Sequence, residues 1–395
     1  MEIGFPEALL AVGLLLLVAA SLSGLMHGTV LSISVLSVAA GIVLAEAGVV
    51  SVDAADATVV HLIELALVLT LFADGLLVDR ELLWLHWSAP VRAIAIAMPI
   101  TLVLLAGAAL VLFPELGWEE AFLLAAVLTP TDPVVTSSVV SAPGVPAVVR
   151  HTLNLESGLN DGLALPFVLF FLVLSAHSGD AGSEAATLLA EAGVGAAIGA
   201  GLGYLGGITH QRVPGGGITH RYEGIWAVGL GLTGFGLAEV TFGNGLIAAF
   251  VTAIALGISR HEAPRGFVEL SESVSAVFQV LTFFVFGALI VATGYDGSVW
   301  ALAAFIPFVL LIARPAALLL SLARTGLPRA QKLFMAWFGP KGVASMLFAL
   351  FVLKSEAPDR SAVFDVAAFV ILASISAHGL TDTVGARWIE RRMRD

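Results

Sequence analysis

Residues 128–133 read Leu-Thr-Pro-Thr-Asp-Pro, and this short stretch in the middle of an apolar run decides the fold. Two prolines three positions apart remove two backbone donors and clash with a continuous helix, so the helix predicted over 119–141 must unwind here. Unwound backbone is tolerated inside a membrane only where it is buried in protein or lines a watery cavity. The freed carbonyls can coordinate a cation there, and Asp132 adds a negative charge. The alternative is a simple proline kink with a hydrogen-bonded aspartate.

The composition of the whole chain places this stretch in a membrane. Of 395 residues, 58% are apolar and 12% are charged, against about 25% charged residues in a typical soluble domain. The mean hydropathy of +0.99 excludes a soluble globular enzyme and a disordered chain. The lack of cysteine excludes disulfide scaffolds and thiolate metal sites, and the net charge of −12 predicts no nucleic-acid partner. The chain is therefore predicted to be an all-α polytopic protein of the lipid bilayer.

Apolar runs of about 20 residues, the length that crosses the hydrocarbon core as a helix, divide the chain into successive spans. The thirteen predicted spans are 6–24, 29–50, 57–78, 91–113, 119–141, 146–175, 186–208, 223–241, 243–259, 270–293, 298–322, 331–353 and 361–384. We expect one membrane domain over residues 1–395, with no soluble regulatory domain and with a first helix that is retained rather than cleaved.

The distribution of Lys and Arg orients these spans. If the C-terminus is cytoplasmic, the cytoplasmic connections and tail hold fourteen basic residues, and the opposite connections hold only Lys354 and Arg360. The fourteen are Arg80, Arg92, Arg150, Arg212, Arg221, Arg260, Arg265, Arg324, Arg329, Lys332, Arg387, Arg391, Arg392 and Arg394. Because cytoplasmic loops carry the excess of Lys and Arg, we predict a multi-pass cell-membrane protein with its N-terminus outside and its C-terminus in the cytoplasm.

A second polar stretch lies in the sixth span, where residues 155–162 read Leu-Glu-Ser-Gly-Leu-Asn-Asp-Gly. On a helix, residues four apart share a face, so Ser157 lies beside Asp161 and Glu156 lies beside Asn160. A carboxylate and a hydroxyl on one stripe are oxygen ligands that suit hard cations such as Na+ or Li+. The carboxylate on the other stripe needs a cationic partner. The alternative is a purely structural polar network.

A second break occurs in the twelfth span, where residues 338–342 read Phe-Gly-Pro-Lys-Gly. The fifth and twelfth spans are seven apart, and an odd spacing inverts the second unit relative to the first. Interruptions at corresponding positions of two inverted repeats indicate a binding site near the middle of the membrane. Lys341 at this break can neutralise the negative C-terminal ends of half-helices.

Together these motifs resemble the Na+/H+ antiporters of the cation:proton antiporter superfamily. The nearer resemblance is to the NhaP-like branch, which carries Asn-Asp where the electrogenic branch carries Asp-Asp. Besides the thirteen spans, the resemblance rests on Thr131-Asp132, Glu156-Ser157, Asn160-Asp161, Leu71-Phe72 followed by an acid, Arg314-Pro315 and Gly339-Pro340-Lys341-Gly342. It covers nearly the whole chain and implies inverted repeats with two crossed broken helices.

The resemblance also implies which residues bind the transported ions. Asp161 would be the main carrier of the cation and the proton. Asp132, Ser157 and the Thr131 backbone would complete the Na+ site. Asp74 in the third span would be a further ion-binding or proton-binding residue, although it stands one position beyond the usual place of the family's glutamate.

Five further residues would structure this site. They are Asn160 and Thr129 at the unwound segment, Glu156 and Arg314 as an ion pair, and Lys341 at the second break. The family usually carries Arg at the position of Lys341. Lys is a point charge that can lose its proton, whereas Arg is a fixed planar fork, so this departure bears on the charge moved in each cycle.

The family's fold implies a homodimer in which a core moves against a dimerisation scaffold. We assign the core helices to about residues 57–175 and 270–384. The scaffold helices are assigned to about residues 6–50 and 186–259.

These features predict a secondary antiporter that exchanges Na+ or Li+ for H+ by alternating access, in pH and salt homeostasis. Asp161 can hold a proton or a cation but not both, so exchange of one for one would move no net charge. The alternative in the same class is K+/H+ exchange. A cation channel would need a continuous pore, and an intramembrane hydrolase would need a motif such as HExxH, which this sequence lacks. We expect no enzyme activity and no cofactor besides the transported ions.

Overall fold

The computed structural model describes residues 10, 12–18, 20–21, 33–53, 56–76, 88–132, 144–176, 181–212, 218–259 and 265–394. Within these ranges the regular secondary structure is helical throughout, with no strand. Each of the thirteen predicted spans contains helical residues, including residues 12–18 in the first span. The prediction of an all-α chain is confirmed.

The described residues beyond position 32 form thirteen helices. They are α1 (Ile33–Glu46), α2 (Ala57–Leu76), α3 (Ser88–Leu112), α4 (Trp118–Leu128), α5 (Ala147–Ala176), α6 (Ala181–Arg212), α7 (His220–Glu239), α8 (Gly245–Ile258), α9 (Arg265–Thr293), α10 (Val299–Ser321), α11 (Arg329–Trp337), α12 (Val343–Leu353) and α13 (Arg360–Arg394). The predicted spans 223–241 and 243–259 are two separate helices, α7 and α8. The predicted twelfth span is divided between α11 and α12.

Seven helical segments of the described residues are long and apolar enough to cross a membrane. They are Ala57–Leu76, Ser88–Leu112, Ala147–Ala176, Ala186–Thr209, Ala276–Thr293, Val299–Ser321 and Arg360–Thr381. The segments Val35–Glu46, Gly245–Ile258 and Val343–Leu353 are apolar but shorter. Large apolar side chains such as Val111 and Leu311 are exposed on the outside of the bundle. An extensive apolar surface of this kind fits contact with lipid.

Helix α4 ends in the middle of the predicted fifth span, where the proline pair begins. Its last helical residue is Leu128, and the chain from there to Asp132 is not helical. Pro130 cannot donate a backbone hydrogen bond to the preceding turn, so the helix cannot continue through it. The rest of this predicted span, residues 133–141, lies outside the described residues.

The second break lies between α11 and α12. Helix α11 ends at Trp337 and α12 begins at Val343, with Pro340 in the gap between them. This gap meets the unwound end of α4, because the backbone N–H of Asp132 donates to the Pro340 carbonyl at 2.9 Å. We call this meeting point of residues 129–132 with residues 338–342 the crossing.

Helices α3 and α10, which each come one helix before a broken element, share one irregularity. Helix α3 is π-helical over Ala93–Ala97, and α10 is π-helical over Phe308–Ala313. A proline follows each π-helical stretch, Pro99 in α3 and Pro315 in α10. Because proline clashes with the carbonyl four residues earlier, the turn before it widens. The fourth and eleventh spans therefore correspond, seven apart like the fifth and twelfth, as inverted repeats require.

Helices α1 and α9 pack with their backbones almost in contact. A Cβ atom added to Gly41 would overlap the Phe284 carbonyl, and one added to Gly287 would overlap the Val38 carbonyl. Gly199 on α6 faces the backbone of α8 in the same way. Small residues let helices approach closely in a membrane, where water does not drive them together. These contacts bring α1 close to α9 and α6 close to α8.

The crossing is enclosed by two sets of helices. Helix α4 packs against α3, α5, α12 and α13. Helices α2 and α9 pack against each other, and both also contact α12. Helix α2 further contacts α5 and α8. It therefore lies between the crossing and α8, which packs closely against Gly199 of α6.

We expect Gly287→Val to lower the melting temperature of the detergent-solubilised protein, because the new side chain overlaps the backbone of α1 at Val38. Overpacking a close contact costs about 1–3 kcal/mol. Gly107→Val is the matched control, since nothing lies within 4 Å of a Cβ atom added there. Equal melting temperatures for the two variants would contradict the close contact between α1 and α9.

Candidate functional site

Asp132 joins the two broken elements at the crossing. Its backbone N–H donates to the Pro340 carbonyl at 2.9 Å, and its Oδ2 accepts from the backbone N–H of Val343 at 2.8 Å. Val343 is the first residue of α12, so the carboxylate caps the positive N-terminal end of that helix. Asp132 is buried, with 5% of its surface exposed.

Lys341 makes the reciprocal contact at the end of α4. Its Nζ donates to the carbonyls of Thr129 at 3.3 Å and Pro130 at 3.1 Å, which lie at the negative C-terminal end of α4. Its backbone N–H donates to Ser374 Oγ on α13 at 2.8 Å. The whole residue is buried. Each broken element therefore places a charge on the helix end of the other.

Two glycines of the second break lie where neighbouring side chains leave no room for a Cβ atom. A Cβ atom on Gly342 would overlap the carboxylate of Asp132. A Cβ atom on Gly339 would overlap the guanidinium of Arg314. The motif Gly-Pro-Lys-Gly thus leaves space for one anionic and one cationic side chain from other elements.

Ser157 and Asn160 on α5 hold the unwound segment of the first break. Ser157 Oγ donates to the Thr131 carbonyl, and Asn160 Nδ2 donates to Thr131 Oγ1 at 3.4 Å. Thr129 Oγ1 donates to the Ala125 carbonyl at 2.7 Å and closes the last turn of α4. A backbone carbonyl and a hydroxyl therefore lie side by side, and both are neutral oxygen ligands that a hard cation accepts.

Glu156 and Arg314 form a buried ion pair. Arg314 Nη1 lies 2.6 Å from Glu156 Oε1, and Arg314 Nη2 donates to the Phe338 carbonyl at 3.3 Å. The guanidinium thereby joins α5 and α10 to the second break. The face of α5 that carries Glu156 is thus neutralised separately from the face that carries Asp161.

Three carboxyl groups line one cavity of about 50 Å³ beside the crossing. Asp74 comes from α2, Asp161 comes from α5, and Asp132 comes from the unwound end of α4. Thr70, Ala73, Gln279 and Val343 complete the lining. Each water molecule in a cavity needs roughly 10–15 Å³ when the volume is measured in the same way. This cavity therefore has room for a few waters or for one partly hydrated cation.

The carboxyl groups of Asp74 and Asp161 lie close enough for a hydrogen bond between them, which requires a proton on one of the two. Asp74 Oδ2 and Asp161 Oδ1 are buried, and neither has a hydrogen-bond partner in the described part of the chain. Leaving a buried polar atom unpaired costs about 1–3 kcal/mol. A proton shared between the two carboxyls or a polar occupant of the cavity can satisfy these oxygens.

The structure brings together all ten residues that the sequence singled out. The crossing holds Thr129, Thr131, Asp132 and Lys341; α5 supplies Glu156, Ser157, Asn160 and Asp161; α2 supplies Asp74 and α10 supplies Arg314. Asp74 lines the cavity although the family places its acid one residue earlier.

Sequence reasoning did not assign three polar residues near the crossing. Ser374 and His378 on α13 are buried, and His378 Nε2 lies 2.9 Å from the Trp337 carbonyl at the end of α11. His378 Nδ1 lies 2.7 Å from the Ser374 carbonyl. Gln279 on α9 lines the cavity. Polar residues four apart in an apolar helix were the available signal for the first two.

Comparison with known proteins gives a consistent result. Residues 13–384 match the sequence model of a family described as sodium/hydrogen exchanger, transmembrane. The K(+)/H(+) antiporter NhaP of Alkalimonas amylolytica is 26% identical over 329 residues, which are 82% of this chain and 57% of that protein. The Na(+)/H(+) antiporter 2 of Zygosaccharomyces rouxii is 27% identical over 318 residues, which are 76% of this chain and 39% of that protein. This chain spans about half the length of the curated relatives it matches.

A solved structure shows the same fold. The sodium proton antiporter MjNhaP1 of Methanocaldococcus jannaschii at pH 8 superimposes with a TM-score of 0.77, over 97% of this chain and 95% of that chain, at 21% identity. The predicted all-α Na+/H+ antiporter fold with two broken helices is confirmed, and the described residues hold seven helical segments that are long and apolar enough to cross a membrane and three shorter apolar ones.

We expect Lys341→Met to lower the melting temperature in detergent, because the carbonyls of Thr129 and Pro130 lose their buried cationic donor. Hydrogen bonds to a charged group contribute about 1.5–3 kcal/mol. Lys332→Met is the matched control, since Lys332 Nζ also donates to two carbonyls, but nearer the surface. A loss in Lys341→Met no larger than that in Lys332→Met would argue against the crossing as described.

A double-mutant cycle tests the ion pair between Glu156 and Arg314. Glu156→Leu leaves the guanidinium buried without its counter-ion, and breaking a buried pair costs about 3–5 kcal/mol. The double variant Glu156→Leu/Arg314→Met removes both charges and recovers much of the lost melting temperature. Strictly additive losses would show that the two residues do not interact.

Proposed function

The chain belongs to the sodium/hydrogen exchanger family, and from this premise we propose that it is a secondary antiporter that exchanges Na+ or Li+ for H+. The observation that carries the proposal is the cavity in which Asp74, Asp132 and Asp161 meet at the crossing of two broken helices. A carboxylate in such a place can hold a proton or a cation, and this choice is the chemical basis of exchange. Because the family consists of transporters, we propose that this chain has no enzymatic activity.

Asp161 is the proposed carrier because it lines the cavity and follows Asn160 on α5, the helix that holds the unwound segment through Ser157 and Asn160. Asp132 contributes charge to the same cavity, but its Oδ2 is engaged by the N–H of Val343. Ser157 and the Thr131 carbonyl are the proposed neutral ligands of Na+. Their mutual hydrogen bond keeps both oxygens next to the unwound chain.

Proton storage is assigned to the pair of Asp74 and Asp161. One proton shared between the two carboxyls stabilises the cavity when no cation is present, because two like charges at this distance repel. Entry of Na+ compensates the charge and releases the proton. Exchange is then one proton for one cation and moves no net charge, provided that Lys341 keeps its proton against the carbonyls of Thr129 and Pro130.

Alternating access is proposed to occur by movement of a core bundle against a scaffold. The core is assigned to about residues 57–175 and 270–384 and the scaffold to about 6–50 and 186–259. Helices α2 and α9 contact α12 on one side and pack towards α8 and α1 on the other, so the boundary between the bundles runs along them. Movement along this boundary would open the cavity to one side of the membrane at a time.

The proposed setting is the cell membrane, with the N-terminus outside and the C-terminus in the cytoplasm. The excess of Lys and Arg in alternate connections supports this orientation. We further propose a homodimer that works in pH and salt homeostasis.

K+/H+ exchange is the second candidate function. It is favoured by one observation, namely that the relative from Alkalimonas amylolytica is named a K(+)/H(+) antiporter. The two candidates use the same carboxylates and differ in the number and reach of the oxygen ligands around the cation.

The deciding experiment uses proteoliposomes that contain a pH-sensitive dye and an acid interior. Na+, Li+ and K+ are added outside in separate runs. We expect Na+ and Li+ to dissipate the pH gradient, at rates that do not change when valinomycin and K+ clamp the voltage in the Na+ and Li+ runs. Dissipation by K+ would favour the second candidate, and voltage-sensitive rates would show that exchange moves charge.

Asp161→Asn is expected to reduce exchange to the level of empty liposomes, because a neutral amide cannot take up a proton or balance a cation. Asp365→Asn is the matched control: Asp365 is also buried on α13, but it accepts from Thr293 Oγ1 at 2.6 Å and does not line the cavity. Full exchange by Asp161→Asn, or none by the folded parent protein with any cation, would overturn the proposed function.

A further inference from the structure

Gln279 on α9 lines the cavity, and the mechanism proposed above gives it no role. Its amide Nε2 is buried and has no hydrogen-bond partner in the described ranges. The same is true of Asp74 Oδ2 and Asp161 Oδ1. One small cavity thus carries an unpaired amide and two unpaired carboxylate oxygens, each from a different helix.

An unpaired buried polar atom costs free energy, so each one needs an explanation. A shared proton can satisfy the oxygens of Asp74 and Asp161, but the Gln279 amide at the same cavity has no such partner and indicates a polar occupant. An amide that served only for packing would be replaced by an apolar side chain of the same length at lower cost. Gln279 therefore belongs with the carboxylates as part of the site.

A glutamine side chain can face this cavity in two ways. Its amide carries two donors on nitrogen and an acceptor oxygen, and its terminal torsion is broad, so either end can turn inward. An N–H turned inward donates to a bare carboxylate. The oxygen turned inward is a neutral ligand for a cation, as amide oxygens are in other sites for hard cations.

We propose that Gln279 is an ion-positioning residue, which donates to the cavity carboxylates in the cation-free state and turns its oxygen to the cation in the loaded state. This proposal rests on the proposed function, in which the cavity binds the transported cation. It goes beyond that function by adding a neutral ligand from α9. A neutral ligand changes how many oxygens surround the cation, but it adds no charge. Gln279 therefore influences which cation the cavity prefers, and it does not change the number of charges moved per cycle.

The position of Gln279 suits this role. Helix α9 packs against α2, which carries Asp74, and against α12, whose first turn is capped by Asp132. It is also held in close backbone contact with α1 through Gly287. The amide therefore reaches the cavity from a rigid helix that is distinct from the unwound segments, and its reach sets the size of the ligand shell.

The test measures the apparent KM of Na+, Li+ and K+ in proteoliposomes for two variants. Gln279→Met keeps the length of the side chain and removes both polar ends. We expect an apparent KM for Na+ raised about tenfold, a maximal rate within about twofold of the parent, and a ratio of Na+ to K+ preference changed at least about threefold. Gln279→Asn keeps the neutral amide but shortens its reach by one methylene, and is expected to raise the KM for Na+ less than Gln279→Met does.

Gln331→Met is the matched control, since Gln331 is a buried glutamine on α11 that does not line the cavity. It is expected to leave all three KM values unchanged. Unchanged KM values and cation preference in Gln279→Met would overturn the inference. A fall in the maximal rate of both Gln279 variants with no change in KM would overturn it too, because that result indicates a structural role.

A binding measurement separates this inference from the proposed function. The melting temperature of the detergent-solubilised protein is recorded with increasing Na+, Li+ or K+, since a cation that binds the folded state stabilises it. Loss of the cation-dependent rise in Gln279→Met, with the rise kept in Gln331→Met, supports the inference even if the parent protein exchanges no protons. A parent protein whose melting temperature responds to none of the three cations would overturn both proposals.

Discussion

A chain that unwinds inside a membrane must satisfy its freed backbone groups and its helix ends without water, and the rest of this structure depends on that constraint. Each of the two breaks supplies a side chain that satisfies a helix end of the other. Asp132 from the first break caps the N-terminal end of α12, and Lys341 from the second break covers the C-terminal end of α4. Gly342 lacks a side chain because the carboxylate of Asp132 takes its place. Each break thus satisfies the helix end that the other leaves open.

The charges near the crossing divide into structural and functional sets. Glu156 and Arg314 neutralise each other at 2.6 Å, and Lys341 is directed at two helix carbonyls. The carboxyl groups of Asp74 and Asp161 remain at the cavity, with one oxygen of each unpaired within the described residues. A buried charge without compensation is costly, so two such oxygens near one another support the proposed binding of a mobile positive charge.

Proline, glycine and isolated charges in apolar spans were strong sequence signals, and they predicted the spans and both breaks. Pro130 and Pro340 cannot lie inside a regular helix, so the breaks followed from the chain alone. The meeting of α2, α9 and the crossing could not be predicted, because it depends on packing between helices that are far apart in the chain. Gln279 gave no signal for the same reason: one polar residue in an amphipathic stretch is ordinary until its neighbours are known.

On the proposed function, the cavity itself couples the two ions. With Asp74 and Asp161 both charged and nothing bound, their carboxylates would join that of Asp132 around about 50 Å³ with no cationic side chain among the groups that line it. This empty state is the least stable one, and either one proton or one cation relieves it. Moving the bundles past each other closes the cavity to water, which raises the cost of the empty state further. The empty protein therefore crosses between its two orientations slowly, whereas the loaded forms cross readily. A cavity with room for one partly hydrated cation then exchanges its ions and does not conduct them.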